Sequence, residues 1–351
     1  MKRKTLIWMF AIIALTVLGI TSWSYVSLRN NAANGFTRNV KDHLLTSLFQ
    51  AHQSRVLTGI SGFTDNHYYF STNDPQVIFI SKSDLSDTQS YTIRYDPDKR
   101  ISESFNVWVD SPEIKIYAGN IPCVLSASLK NKAVKLDTLD GTIFNKIIPC
   151  SDKTYIMKRH DSALRDFQFR KTDLAGNDLV SEHGVSVIQH DDGISTDGTL
   201  LFDKTGSRVI YLYKLFNQFV CMDTDLMLRY TARTIDTVNY HAVPIGTYNK
   251  NGMVIRTFSR APKLVNLKAC ISNNNLFVCS GIKADNETTG NFRDNAVIDI
   301  YDLNNGAYRY SFYIPKGTNK RLTSFKVIGD RVLAVFDKGK NIVVYQTQTI
   351  L

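Results

Sequence analysis

The segment Val297–Tyr313, VIDIYDLNNGAYRYSFY, decides the fold. An alternating apolar run ends at Asp302, the turn formers Asn304, Asn305 and Gly306 follow, and a second alternating run extends from Tyr308 to Tyr313. A period of two sends successive side chains to opposite faces, so two such runs around an Asn/Gly turn predict a β-hairpin. The phrase recurs in FISKSDLSDTQSYTI (Phe79–Ile93), FQFRKTDLAGNDLV (Phe167–Val180) and FVCMDTDLMLRYTA (Phe219–Ala232). Weaker copies are VKLDTLDGTIFNKII (Val134–Ile148) and the truncated IVVYQTQTI (Ile342–Ile350). In the clear copies an Asp-Leu pair closes one strand, at Asp84, Asp173, Asp225 and Asp302. There the carboxylate is expected to accept the backbone N–H two residues on, which favours the turn.

Outward from this phrase, the chain from Arg55 onward consists of short strand-like runs and turns, with no long amphipathic helix. The runs fall into six groups over roughly 290 residues, a repeat of about 48, which is the spacing of propeller blades. The expected fold is therefore all-β: a six-bladed β-propeller of four-stranded antiparallel blades. A radial array also protects the strand edges that one flat sheet of this size would expose. The last group offers only Leu322–Ile328, Arg331–Phe336 and Asn341–Gln346, so its fourth strand is unassigned. Thr234–Pro262 reads as a long irregular insertion with one strand at Met253–Phe258.

Ahead of the repeats, Lys2, Arg3 and Lys4 precede an apolar run from Leu6 to Val26. A helix of that length at about 1.5 Å per residue reaches roughly 31 Å, the thickness of the bilayer hydrocarbon. Trp8, Trp23 and Tyr25 stand near the two ends, where interfacial aromatics concentrate. Ser22-x-Ser24 is a poor signal-cleavage site and the apolar run is long for a signal peptide. The expectation is an uncleaved, single-pass anchor in an inner membrane through residues 6–26, with the N-terminus cytoplasmic and the propeller in the periplasm. Val40, Leu44, Leu48 and Leu45, Phe49 fall at helical spacing, predicting a short stalk helix from about Thr37 to His52. The expected division is 1–28 cytoplasmic tip and anchor, 29–54 juxtamembrane stalk helix, and 55–351 propeller.

Composition agrees with a folded β-rich domain. Hydrophobic residues are 43%, charged residues 21% and aromatic residues 11% of the chain, with 8 Pro. These values exclude a disordered chain and suit half-buried strands. The formal charge of +10 is concentrated ahead of the repeats, where residues 1–60 hold seven basic residues against Asp42 alone. No nucleic-acid partner is expected for the propeller.

Few residue groupings point to chemistry. The seven histidines are scattered, and His190-Asp191-Asp192 with Asp197 is the best local metal candidate, without the regular ligand spacing of a calcium loop. The five cysteines (Cys123, Cys150, Cys221, Cys270 and Cys279) lie mostly among apolar strand residues and are expected to be buried, unpaired thiols. In the hairpin around Ser272–Asn275, residue 270 opposes about 277, so Cys270 and Cys279 are not cross-strand partners. No phosphate loop, nucleophile elbow or dinucleotide glycine pattern occurs. The aromatic run Tyr308, Tyr310, Phe312, Tyr313 is expected to pack between blades.

With the blade phrases, the passage LVNLKACISNNNLFVCSGIKADNE (Leu264–Glu287) and VIDIYDLNNGAYRYSFYIP leading into SFKVIGDRVLAVFD complete a resemblance. From about Arg29 onward the chain resembles membrane-anchored, six-bladed TolB-like propeller proteins of Gram-negative bacteria. Related lipoprotein members carry an N-terminal Cys, and this chain departs by having an apolar helix instead. The resemblance implies a fold and a compartment but no reaction, so no functional residue is carried over.

The sequence thus favours a non-enzymatic, membrane-tethered interaction module with a protein or small-ligand partner. The alternative is an enzyme, or a redox or metal-binding propeller, that uses the central funnel. No catalytic, cofactor-binding or metal-binding residue is assigned and no cofactor is expected. The long loops Thr234–Pro262 and Lys283–Asn295 are expected to form one side of a binding face near the membrane. They carry Tyr240, His241, Tyr248, Arg256, Arg260 and Arg293, including the aromatic and Arg types enriched at binding hot spots.

Overall fold

The computed structural model describes residues 3–30, 33–95, 101, 105–118, 122–131, 134–139, 143–250, 252–317 and 320–348. Helix α1 (Arg3–Asn30) is followed by six four-stranded antiparallel sheets arranged as propeller blades. Blade 1 is β2 (Leu57–Phe63), β3 (His67–Thr72), β4 (Val77–Lys82) and β5 (Thr88–Thr92). Blade 2 is β6 (Phe105–Asp110), β7 (Glu113–Ala118), β8 (Cys123–Ser128) and β9 (Val134–Thr138). Blade 3 is β10 (Phe144–Ser151), β11 (Thr154–Asp161), β12 (Asp166–Asp173) and β13 (Asp178–Ser181). Blade 4 is β14 (Gly198–Asp203), β15 (Arg208–Tyr213), β16 (Phe219–Asp223) and β17 (Leu228–Ala232). A separate two-stranded hairpin, β18 (Ile245–Lys250) and β19 (Met253–Phe258), intervenes. Blade 5 is β20 (Asn266–Ser272), β21 (Asn275–Ser280), β22 (Asn295–Asp302) and β23 (Tyr308–Pro315), with helix α2 (Thr289–Asp294) just before β22. Blade 6 is β24 (Leu322–Ile328), β25 (Arg331–Phe336), β26 (Asn341–Thr347) and, from the other end of the chain, β1 (Leu45–His52).

That last strand corrects the expectation of a stalk helix over Thr37–His52, and with it the start of the propeller at residue 55. Leu45–His52 is extended and pairs antiparallel with β26, from Leu45 opposite Thr347 to His52 opposite Asn341. The segment also carries a period of two, with Leu45, Phe49 and Ala51 turned partly inward and Leu48 exposed. A short isolated helix is marginal in water, whereas an unpaired β26 edge would leave a row of backbone groups without partners. Pairing across the sheet prevails over local helical spacing. It also explains why the repeat at Ile342–Ile350 looks truncated: its fourth strand lies some 290 residues upstream.

The other copies of the phrase are the third and fourth strands of blades 1, 3, 4 and 5, apart from Val134–Ile148. That weaker copy runs from the outer strand β9 into the inner strand β10 of the next blade. Turn capping follows expectation at Asp84, Asp173 and Asp302, whose carboxylates accept the N–H of Ser86, Ala175 and Asn304. In blade 4 the cap is Asp223, which accepts from Asp225 and Met227, while Asp225 pairs with Lys171 of blade 3. Gly306 holds φ +76°, and a Cβ there would overlap Ala232 of the neighbouring blade.

The core is divided among the six junctions between blades. Strand β15, RVIYLY, shows how: it is buried throughout and divides its side chains by period two. Val209, Tyr211 and Tyr213 pack toward blade 3 with Ile156 and Phe169. Ile210 and Leu212 pack toward blade 5 with Leu276, Val278 and Tyr301. Equivalent clusters join blades 1 and 2, 2 and 3, 5 and 6, and 6 and 1. Phe312 and Tyr310 contribute to the junction of blades 5 and 6, as expected for that aromatic run. The five cysteines form no disulfide, Cys270 faces Phe277, and all but Cys150 are buried. Burial pushes the Cys270 and Cys279 thiols up to about 11 and about 12.

Because β1 completes blade 6, a chain starting at residue 33 is expected to keep a β-rich circular dichroism spectrum and cooperative thermal unfolding. A chain starting at residue 53 is expected to aggregate or melt far earlier, through the opened β26 edge. Equal melting of the two would show that β1 is dispensable.

Candidate functional site

The inner strands have two ends. Loops that pass from blade to blade lie at one end, and the turns between first and second strands lie at the other. The long loops and the chain that follows α1 meet at the first end, on blades 4 and 5.

Residues 33–41 run along blade 5 as a strap. The Asn34 backbone N–H donates to Asp285 Oδ1 at 2.5 Å and its side-chain amide to the Lys283 carbonyl at 2.9 Å. Thr237 Oγ1 donates to the Asn34 carbonyl at 2.6 Å, so the strap touches both long loops. Phe36 is buried with Val265, Ile282 and Ala284. Asn286 and Arg38 exchange a pair of side-chain-to-backbone bonds at 3.0 and 2.8 Å. Farther on, Val40 and Ser311 form a parallel bridge against β23, with Lys41 N–H donating to Ser311 O and Ser311 N–H to Asn39 O, each at 2.8 Å.

Arg38 is the fixed point of the strap. Its guanidinium is wholly buried, with Nε and one terminal nitrogen donating to the two oxygens of Asp299 at 2.7 and 3.1 Å and the other donating to Glu287 at 2.5 Å. Ser311 Oγ donates to Asp299 at 2.6 Å, and Tyr313 OH donates to Glu287 at 2.9 Å. Burial works against the charge, but the two carboxylates outweigh it and hold Arg38 firmly cationic. Burial pushes the Asp299 carboxyl up despite Arg38. This site fastens a segment.

At the same end, the insertion read as irregular is a hairpin, with β18 and β19 paired from Ile245–Phe258 to Lys250–Met253. Tyr240 and Tyr248 are exposed and Arg256 is half-buried. An open cleft of about 500 Å³ lies at its base, bounded by Leu215, Thr237, Pro244, Arg260 and Lys263. Arg293, in the second long loop, is exposed and paired with its neighbour Asp294.

The opposite end holds one cleft of about 390 Å³ beside Asp203, Arg208 and Asn274 and a smaller one of about 120 Å³, built from the first turns of blades 2, 3 and 4. Lys204 reaches from blade 4 to ion-pair with Asp110 of blade 2 and lies 5.2 Å from the Trp108 ring centre. Lys115 and the half-buried Cys150 also line this cleft.

The cluster at His190 does not converge on a metal site. His190 Nδ1 lies 2.6 Å from the Leu164 carbonyl, Asp192 bonds Arg165 at 2.9 Å, and Asp197 bonds Lys146 at 2.8 Å. Next to this loop is a group the sequence did not single out. Lys158 is fully buried between blades 3 and 4, donating to Thr196 O at 3.1 Å and Tyr211 OH at 3.2 Å, with its ammonium 4.3 Å from the Tyr211 ring centre. Burial pulls its pKa down to about 8, against the pull of Asp166, Glu182 and Asp197. Such an amine is a nucleophile where substrate can reach it. Lys158 has no exposed surface, and its hydrogen bonds tie β11 to blade 4. Nothing in its local sequence, YIMKRH, marks it apart from an exposed strand lysine.

No protein-family model and no curated protein matches this chain. Among solved structures, a member of the DUF4221 family from Bacteroides vulgatus superposes with a TM-score of 0.54 at 12% identity, over 88% of this chain and 98% of that one. A structural-genomics protein of unknown function from Bacteroides thetaiotaomicron gives 0.52 at 8% identity, over 87% and 76%. These similarities are of fold.

Replacing Arg38 by Met would leave two buried carboxylates without their cation, so a loss of about 3–5 kcal/mol in unfolding free energy is expected at pH 7. The loss should be smaller at pH 5 than at pH 7, because burial raises the Asp299 carboxyl and favours its protonation once the cation is gone. Denaturant titration at both pH values checks this, and a loss independent of pH would contradict it. For Lys158, the folded-state pKa lies below the ordinary 10.5, so the unfolded chain binds the extra proton between about 8 and 10.5. Stability therefore rises with pH across that window. Relative to Lys158→Met, the wild type should gain on the order of 2 kcal/mol between pH 8 and pH 10. A flat difference would mean that the amine titrates normally.

Proposed function

We propose that this chain is a membrane-tethered, non-enzymatic interaction module, with α1 as its anchor and the propeller held outside the cytoplasm. The observation that carries the reading is the Arg38 strap, which fixes one end of the propeller immediately beyond an apolar helix. In α1, the stretch Ile7–Ser24 is long and apolar enough to cross a bilayer, and its side chains, Trp8 and Trp23 included, are all exposed. A helix apolar all round with no protein against it suits lipid. The basic tip Lys2-Arg3-Lys4 supports an N-terminus in the cytoplasm and a periplasmic propeller. Asn34 lies four residues beyond the last residue of α1, so the blade 4–5 end is held within about 14 Å of the helix end.

With that end facing the membrane, the other end is the one open to a protein or small-ligand partner. Its smaller cleft combines the Trp108 ring with Asp110, Lys115 and Lys204, an aromatic surface among paired charges that suits a polar or peptide partner. The TolB-like resemblance points to the same compartment.

Two measurements test this. The full chain should resist alkaline extraction from membranes, and a phosphatase reporter fused after Leu351 should be active; an inactive, stable fusion would overturn the topology. A photo-crosslinking side chain at position 108 should capture a partner in cells where one at position 87, on the outer rim, does not. Equal capture at both would place the contact elsewhere.

A further inference from the structure

The hairpin β18–β19 stands apart from the blades. Among the described residues its sheet contains these two strands alone, and neither outer edge pairs with another strand. An isolated two-stranded hairpin gains little stability in water, so exposed apolar side chains on one call for a covering surface. Tyr248 is 49% and Val254 50% exposed, and Tyr240, at the hairpin base, is 38% exposed. The surrounding charge has one sign. From Thr237 to Ala284 the sequence contains six Lys and Arg and no Asp or Glu. Lys250, Arg256, Arg260 and Lys263 form no ion pair among the described residues, in contrast to Arg38, Arg208 and Arg293. The hairpin also rises from the strap: Thr237, bonded to Asn34, and Arg260 border the same cleft at its base.

We infer that the β18–β19 hairpin is a second membrane contact, which docks on the anionic lipid surface of the leaflet from which α1 emerges. Tyr248 and Val254, which the register places on opposite faces of the hairpin, both enter the headgroup layer when the hairpin dips into it end-on, and an amphipathic ring and a small aliphatic group are both accommodated there. The four unpaired basic side chains meet lipid phosphates, and juxtamembrane Lys and Arg residues are attracted to such surfaces. Charge complementarity favours lipid over a protein partner, because the hairpin offers no acid with which to discriminate among partners. The short link to α1 keeps the hairpin at high effective concentration beside the bilayer, so a weak contact suffices. Anchor and hairpin together would fix the tilt of the propeller, which one helix alone leaves free. The inference rests on α1 spanning the bilayer, and the experiment separates the two.

Hydrogen exchange of the full chain would be followed in phosphatidylcholine vesicles with and without phosphatidylglycerol. The amides of α1 report the anchor and those of β18–β19 report the hairpin. Protection of α1 is expected in both lipids. Exchange in the hairpin should slow on the order of tenfold only when phosphatidylglycerol is present. Substituting Lys250, Arg256, Arg260 and Lys263 by Ser, or raising the salt, should abolish that slowing and leave blade amides unchanged. Protected α1 with identical hairpin exchange in the two lipids would overturn the lipid contact alone. Hairpin protection independent of lipid charge would mark a protein or self contact and overturn it too. Unprotected α1 in both lipids would refute the anchor, and the lipid contact with it.

Discussion

The structure depends on the pairing of Leu45–His52 with Asn341–Thr347. Every junction between blades is a shared hydrophobic cluster, so the core is a ring, and a ring keeps its contents buried only while it is closed. The cluster of blades 6 and 1, with Leu57, Phe70, Leu333 and Val344, is the seam at which strands from opposite ends of the chain meet. The close approach at Gly62, where a Cβ would overlap the Val109 carbonyl, shows how tightly neighbouring inner strands are drawn together. A gap anywhere would relieve that crowding at the cost of apolar surface, about 25 cal/mol for each Å² exposed to water.

The strap makes the two ends of this ring unequal. At one end, chain that could have remained a loose linker is held by a buried guanidinium between two carboxylates. A buried ion pair adds little net stability over well-packed apolar groups, yet losing one partner is costly. Its value here is positional, because Arg38 can satisfy Glu287 and Asp299 in one register only. The charge distribution follows the same division. The strapped end carries an acid-free basic hairpin, while the smaller cleft at the far end mixes Asp110 and Glu113 with Lys115 and Lys204. One end is suited to a uniformly charged surface and the other to a partner with charges of both signs.

Strand positions were legible because period-two patterning and turn chemistry act locally. Met253–Phe258, Leu322–Ile328 and Arg331–Phe336 have the bounds that the patterning predicts. The Leu45–His52 strand was not legible, because helical and strand spacing coexist there and the deciding partner lies at the far end of the chain. Asp223, and not Asp225, caps its turn because two acids two residues apart compete for the same N–H groups. Arg38 looked like one more basic residue beside an anchor, since its carboxylates lie about 250 residues away. Lys158 was hidden in the same way: Tyr211, Tyr213 and the Thr196 carbonyl around it lie 38 or more residues away in the chain. The two long loops, by contrast, were found by length alone, and the strap joins them. A charge count over a sliding window marks the acid-free run before any fold is known.

Closure by β1 also has a kinetic side. Leu45–His52 is made early, yet its partner strand is made some 290 residues later, and closing a loop of that length costs about 5 kcal/mol in chain entropy. Pairings so distant in sequence form slowly, and until then β1 and β26 each present a naked edge to other chains. The strap shortens this search. Once blade 5 has formed, Arg38 and the Val40–Ser311 bridge can seat the preceding residues, leaving only the few from Asp42 to Leu44 between the seated chain and its strand. The chain would then search over the width of one blade instead of the whole ring, so a contact that fastens the strap in the finished molecule would also guide its final folding step.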